Sequence, residues 1–90
     1  MIKSLDEATH LADEFVFKLS EMSNDNFSII KEKTVETDNG WVFFYNTQDF
    51  INTGDPIFAL AGNGPVFVKK SGYVIAIPSS SHWEELIKSL

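Results

Sequence analysis

The stretch that decides the fold is residues 39–50, NGWVFFYNTQDF, where a turn signal directly precedes a row of aromatic side chains. Asn39 and Gly40 both tolerate positive φ angles, as the two central residues of a type I′ hairpin turn require. A turn at this position would pair Asp38 with Trp41 across two antiparallel strands. The sequence therefore predicts a β-hairpin whose second strand begins at Trp41.

The two strands of this hairpin differ in how many of their sides are apolar. Residues 27–38 mix β-branched and charged side chains, which is typical of a strand with one solvent-facing side. Residues 41–46 are apolar on both sides, which favours a central position in a sheet and puts the first strand near an edge. We interpret the aromatic side chains as core. The alternative is a partly open binding face formed by Trp41, Phe43 and Tyr45.

A long helix is predicted before the hairpin. Ser4 and Glu7 have the spacing of a capping box, which marks the start of a helix, and the sequence SNDN at residues 23–26 predicts its end. Between them, apolar residues recur every three or four positions, as on one side of a helix. These residues are Leu5, Ala8, Ala12, Phe15, Val16, Leu19 and Met22.

Less regular elements follow the first hairpin. Residues 47–64 are interpreted as a turn or short helical piece that Gly54 and Pro56 stop, and then a short strand or buried connection. Residues 65–78 predict a second hairpin with Ser71 and Gly72 in its turn.

The chain closes with a predicted short helix. Ser81 and Glu84 have capping-box spacing, and the apolar side of this helix consists of Trp83, Leu86, Ile87 and Leu90. Together these elements predict one domain over residues 1–90, of the α+β class: a mainly antiparallel sheet of about four strands, with the long N-terminal helix packed on one face and the short C-terminal helix. We expect the C-terminal helix and residues 57–61 to cover the second face.

Composition narrows the classes of function. The chain has 13 acidic residues against seven lysines, no arginine and a net charge of −6. This balance argues against binding to nucleic acid or an anionic membrane. An acidic surface can attract a basic protein partner, although a mildly acidic surface that serves solubility explains the same charge. The chain also lacks cysteine and an apolar run of signal-peptide length, so we expect a cytoplasmic protein without disulfides.

The sequence offers weak evidence for catalysis. His82 follows three serines, but neighbours in sequence do not form a nucleophile and base without a third, orienting group. Asp6 and His10, with Asp13 or Glu14, could hold a divalent metal, although a solvated helix surface explains the same charges. We expect no enzyme activity, no metal and no cofactor.

The helix side opposite the apolar stripe carries a candidate partner-binding surface. It consists of Asp13, Glu14, Phe17 and Glu21. An aromatic residue surrounded by acids has the composition of a binding hot spot for a basic partner. The alternative is that Phe17 is a lone exposed residue or is tucked under a neighbouring loop.

Two motifs in combination resemble the YrhB-domain family, also called the immunity protein 35 family. One is a strand of the form G-W-x-F-x-Y, and the other is A-G-N-x-P-x-x-V followed by a glycine turn. The matching residues are Gly40, Trp41, Phe43, Tyr45, Ala61, Gly62, Asn63, Pro65, Val68 and Gly72.

This resemblance implies a cytoplasmic, non-enzymatic protein that binds and neutralises a cognate bacterial toxin. A small heat-stable chaperone is the alternative role within the family. The motif residues would then be determinants of the fold: glycines for special backbone angles, proline at a strand start and aromatic residues in the core. Specificity for the toxin would lie on other surfaces.

Overall fold

A computed structural model describes residues 4–60, 63–80 and 82–90. Its helices are α1 (Leu5–Ser23), α2 (Gln48–Thr53) and α3 (Trp83–Leu86). Its strands are β1 (Phe27–Ile29), β2 (Val35–Glu36), β3 (Gly40–Phe43), β4 (Tyr45–Thr47), β5 (Val66–Lys69) and β6 (Val74–Ala76). Single 3₁₀ turns occupy Lys31–Lys33, Pro56–Phe58 and Ile87–Ser89.

The strands form a four-stranded antiparallel sheet and a separate two-stranded ribbon. The sheet has the order β2-β3-β5-β6, and the ribbon pairs β1 with β4. Trp41 lies opposite Val68 in the central β3–β5 pair, and Phe67 lies opposite Ile75 in the next pair. The predicted α+β class, with its mainly antiparallel sheet and its long and short helices, is confirmed. The two-stranded ribbon was not predicted.

Helix α1 begins and ends where the sequence predicts. The Ser4 hydroxyl accepts a hydrogen bond from the Glu7 backbone N–H, and the Glu7 carboxylate accepts one from the Ser4 N–H, which completes the capping box. At the other end Asn24 adopts the left-handed conformation, with φ of 53°, and the Asp25 N–H donates to the Ser20 carbonyl.

The buried stripe of α1 is shifted from the predicted one at both ends. Leu5 is 49% exposed and Met22 is 83% exposed, so their assignment to the core is wrong. The last buried position belongs instead to Ser20, whose hydroxyl donates to the Val16 carbonyl and accepts from the Phe27 N–H, each at 3.0 Å. The i, i+4 row that faces the sheet is Ala8, Ala12, Val16 and Ser20.

The sheet has a buried layer on each side. On the α1 face the buried residues are Ala8, Ala12, Val16, Ile29, Trp41, Phe43, Val66 and Val68. On the α3 face they are Val42, Phe67, Ile77 and Ile87, with Phe44, Ile75, Trp83 and Leu86 partly buried against them. The aromatic stretch is therefore core, and the alternative of an open binding face is wrong. Residues 57–61 were expected to help cover the second face of the sheet. This expectation is wrong at Ile57, which is 79% exposed.

The first hairpin has a different turn from the predicted one. Glu36 pairs with Trp41, so the turn residues are Asp38 and Asn39, and neither has a positive φ. Gly40 is the first residue of β3, where an added Cβ would lie 2.1 Å from the Val68 carbonyl oxygen. Close packing of β3 on β5, rather than a positive φ, is what requires glycine at this position.

Thr37, which directly precedes the two turn residues, stabilises this register. The Thr37 hydroxyl donates to the Gly40 carbonyl and accepts from the Gly40 N–H, and the Thr37 N–H donates to the same carbonyl at 2.7 Å. These local hydrogen bonds compete with the type I′ turn that the dipeptide alone suggests.

The two predicted long strands are both interrupted. Residues 27–38 contain β1, a 3₁₀ turn and β2, and residues 41–46 divide between β3 and β4. At the break the Ile30 N–H donates to the Phe44 carbonyl at 2.8 Å, and the chain passes from the sheet to the ribbon.

The later elements follow the prediction more closely. Thr47 caps α2, and Gly54 ends it with φ of 73°, as expected for a short helical piece that a glycine stops. Strands β5 and β6 form the second hairpin, with Gly72 at φ of 102° in its turn. The residue that precedes α3 as its N-cap is His82, and the predicted cap Ser81 lies outside the described residues.

Candidate partner-binding surface

The outer surface of α1, defined as Asp13, Glu14, Phe17 and Glu21, lies on the side of the helix away from the sheet. All four residues are exposed, and the Phe17 side chain is 63% exposed. Asp13 and Glu21 are each one helical turn from Phe17, so carboxylates flank the aromatic ring on both sides along the helix. Phe17 is thus not tucked under a loop.

The end of this surface continues into an open depression, which we call the C-terminal depression. It has a volume of about 480 Å³ and is lined by Phe17, Ser20, Glu21, Asn24, Asp25 and Asn26. Residues 23–26 were predicted only as the end of the helix, not as neighbours of Phe17. Helical spacing reaches as far as Asn24, at i+7 from Phe17, and gives no signal for Asp25 and Asn26.

The charge around the depression is negative and has few partners. The last turn of α1 contains no basic residue, although that end of a helix carries a partial negative charge. Within the described ranges, Glu21 and Asp25 have no ion pair, and one Asp25 carboxylate oxygen accepts from the Asn26 N–H at 2.8 Å. Lys18 is the lysine of α1, at the position that follows Phe17. A cation from outside would find unpaired carboxylates here.

The candidate metal ligands of α1 do not form a metal site in the described residues. His10 Nε2 lies 2.7 Å from Glu14 Oε1, an exposed pair one helical turn apart. Across residues 4–60, 63–80 and 82–90, no three or more His, Cys, Asp or Glu side chains are grouped so that they could hold a metal ion.

His82, considered above for catalysis, and two other side chains with reactive polar groups are exposed or hydrogen-bonded. His82 is exposed, and its side chain makes no capping hydrogen bond. Ser28 donates to Gln48 Oε1 at 2.6 Å. Burial raises the pKa of the Tyr45 hydroxyl, and a hydrogen bond with Asn63 partly offsets that effect. In the described part of the chain, every buried side-chain nitrogen or oxygen has a hydrogen-bond partner.

The described residues of the two sequence motifs lie in and around the sheet. Gly40, Trp41 and Phe43 are buried in β3, and Tyr45 is half-buried in β4. The Asn63 amide donates to the Tyr45 carbonyl at 3.2 Å, which ties the loop after α2 to the ribbon. The Pro65 carbonyl accepts from the Ile77 N–H at 2.9 Å and extends the β5–β6 pairing.

Two glycines occur in the second motif, Gly62 and Gly64. Gly62 lies outside the described residues. Gly64 was missed by the sequence analysis, yet a Cβ there would lie 1.8 Å from the Ile77 carbonyl oxygen. Like Gly40, Gly64 allows two backbone segments to approach closely. The described motif residues thus belong to the sheet, the ribbon and their connections, and none of these lies on the outer surface of α1.

None of the described helices combines the length and the apolar character that a membrane crossing requires. Helix α1 reaches 19 residues, but it carries five acidic side chains among them.

Comparison with known proteins identifies the family. A family model described as immunity protein 35 matches residues 6–87. The chain is also 34% identical over 50 residues to the uncharacterized protein YrhB of Escherichia coli strain K12, across 54% of this chain and 53% of that protein. The match thus spans about half the length of this curated relative. No solved structure matches the chain. Because the family model runs from the first helix to the last, the chain belongs to the immunity protein 35 family.

Proposed function

We propose that this protein is a non-enzymatic immunity protein that binds a cognate bacterial toxin in the cytoplasm and neutralises it. The observation that carries the proposal is the match of the family model over residues 6–87. An inhibitor that acts by binding needs a rigid surface of sufficient size. It does not need a catalytic group.

The size of the molecule is sufficient for such an interface. A stable protein–protein complex buries about 800 Å² on each partner, and this chain has an accessible surface of 5845 Å². One interface would therefore use about one-seventh of its surface.

Charge supports a basic toxin. The chain carries a net charge of −6, and five of the acidic residues lie on α1. A negative surface attracts a positively charged partner at long range and raises the association rate. The same charge disfavours nucleic acid and anionic membranes as partners.

The proposal is tested by co-expression and by stoichiometry. Candidate toxin domains from the same genome are expressed in a sensitive host with and without this chain, and for the cognate toxin we expect growth only with it. In vitro, inhibition should be complete at one chain per toxin and proportional below that ratio. Protection at a small fraction of this ratio would indicate catalysis. If the toxin stays active and the chain instead prevents aggregation of an unrelated thermolabile enzyme, the chaperone role replaces the immunity role.

A further inference from the structure

We infer that the C-terminal depression of α1 is a receptor for an arginine side chain of the toxin. The inference rests on the proposed function, since it names the part of the partner that this surface would bind. It depends on three features of the described residues: an exposed aromatic side chain, unpaired carboxylates beside it, and the negative end of a helix.

The aromatic side chain provides the apolar part of the receptor. Phe17 is 63% exposed and lines the depression next to Glu21, its neighbour one turn later. A guanidinium group stacks on an aromatic ring and is attracted by the negative charge of the ring face. A solvent-exposed phenylalanine between acidic residues therefore suits a cation better than it suits an apolar side chain.

The polar groups provide acceptors on the other side. Glu21 has no ion pair within the described ranges, and Asp25 uses one of its two carboxylate oxygens on the Asn26 N–H. The side chains of Asn24 and Asn26, which also line the depression, make no hydrogen bonds to other residues of the described structure. Several acceptors are thus free to receive the donors of one guanidinium group.

The helix end adds to the attraction and favours arginine over lysine. The last turn of α1 has acidic but no basic side chains, so the partial charge of the helix end is not compensated within the helix. A guanidinium presents five donors in a planar fork, whereas an ammonium is a compact point charge. Acceptors spread over residues 21–26 match the fork. The chain itself has no arginine to fill this position.

The first experiment uses synthetic peptides and does not depend on the toxin. The ¹⁵N-labelled protein is titrated with hexa-arginine, hexa-lysine and hexa-glutamate at equal ionic strength, and backbone amide shifts are followed. We expect saturable shifts at residues 17, 21 and 24–26 with hexa-arginine, and weaker binding of hexa-lysine. Phe17→Ala should weaken hexa-arginine binding by about threefold or more. Met22→Ala, at an apolar position of α1 that is even more exposed (83%), should leave it unchanged.

Three peptide results would overturn the inference. They are shifts spread over the acidic surface without a maximum at the depression, equal binding of arginine and lysine peptides, and equal losses in Phe17→Ala and Met22→Ala. Both variants change exposed residues, and their unchanged spectra away from the site would show that they are folded.

The second experiment uses the toxin that the co-expression test identifies. Phe17→Ala should weaken the complex by about thirtyfold, as for a hot-spot residue. Glu21→Gln and Asp25→Asn should slow association and reduce its dependence on salt. Glu84→Gln, on the opposite side of the molecule, removes the same charge and should have little effect. Tight binding that none of the first three variants weakens would leave the immunity function intact and remove this site. If the parent protein does not bind the toxin, the immunity function is contradicted. The peptide titration would still show whether the C-terminal depression binds arginine.

Discussion

The two faces of the sheet are covered in different ways. A 19-residue helix with caps at both ends covers the α1 face, and its alanines at positions 8 and 12 let the helix backbone lie close to the strands. The α3 face is covered by one α-helical turn and one 3₁₀ turn, whose Trp83 and Leu86 remain partly exposed.

This difference suggests that α1 and α3 contribute differently to binding and to stability. The long helix is fixed by a continuous row of buried side chains, so its outer surface is held in place without further support. The short helix closes the core but has little buried area of its own. A binding surface on α1 therefore has a rigid base, and stability should depend more strongly on the α1 face than on the α3 face.

The strongest test compares two buried phenylalanines. Phe43 on the α1 face and Phe67 on the α3 face are both completely buried. Phe43→Ala should lower the free energy of unfolding by about 4–5 kcal/mol, and Phe67→Ala by about 3 kcal/mol. The reason is that a short, half-exposed cover can collapse into a cavity more easily than a long packed helix can.

The measurement is urea denaturation of both variants, with circular dichroism as the signal. Such losses approach the whole stability of a domain of this size, so a stabilising osmolyte at fixed concentration keeps both variants measurable. An equal or larger loss for Phe67→Ala would mean that the two faces are equivalent and that the comparison fails.

A smaller effect is expected at the cover of the α3 face itself. The Trp83 ring meets Phe44 edge-on, with centroids 5.7 Å apart and an angle of 76° between the planes. Trp83→Ala should cost about 2 kcal/mol, which combines partial burial with the aromatic pair. In a double-mutant cycle with Phe44→Ala, the coupling should be about 0.5–1.5 kcal/mol. Additive losses would show that the rings do not stabilise each other.

On the α1 face, the Ser20 hydroxyl forms a hydrogen bond between the helix and the ribbon. Ser20→Ala removes the acceptor of the Phe27 N–H and should cost about 1–2 kcal/mol, because a partly buried donor loses its partner. Thr9→Ala is the matched control, since its hydroxyl also donates to the carbonyl four residues earlier but receives nothing in return. Its loss should stay within about 0.5 kcal/mol. Similar losses in thermal melts of the two variants would remove the special role of Ser20.

The sequence predicts the α1 side of the molecule better than the strand boundaries. Helix α1 carries apolar residues at helical spacing between a capping box and an Asn stop, so its two ends were predicted correctly, although Leu5 and Met22 near those ends are exposed. The first hairpin was predicted with the wrong register because Thr37 and the close approach of Gly40 to Val68 decide it. A contact with a strand 28 positions later along the chain is not visible in a local turn motif.

The candidate surface also has a part that the sequence predicts and a part that it does not. Periodicity alone puts Asp13, Glu14, Phe17 and Glu21 away from the core, and the structure places all four on the exposed side. The residues of the helix end belong to this surface because Asn24 turns the chain back past the last turn of α1. Helix periodicity cannot predict where the chain goes after the helix has ended.

The smallest expected effect is a dependence of stability on alkaline pH, which arises from Tyr45 at the border of the α1 face. Burial raises the pKa of its hydroxyl above the usual value of about 10, and Asn63 partly offsets this. The neutral form is therefore favoured in the folded state, and this contribution is fully present below about pH 10. It is lost as the pH rises through the folded pKa, because the unfolded chain ionises first. We expect Tyr45→Phe to reduce the loss of stability above about pH 10 in urea titrations. A parent-like alkaline loss in Tyr45→Phe would show that its hydroxyl ionises equally well in both states.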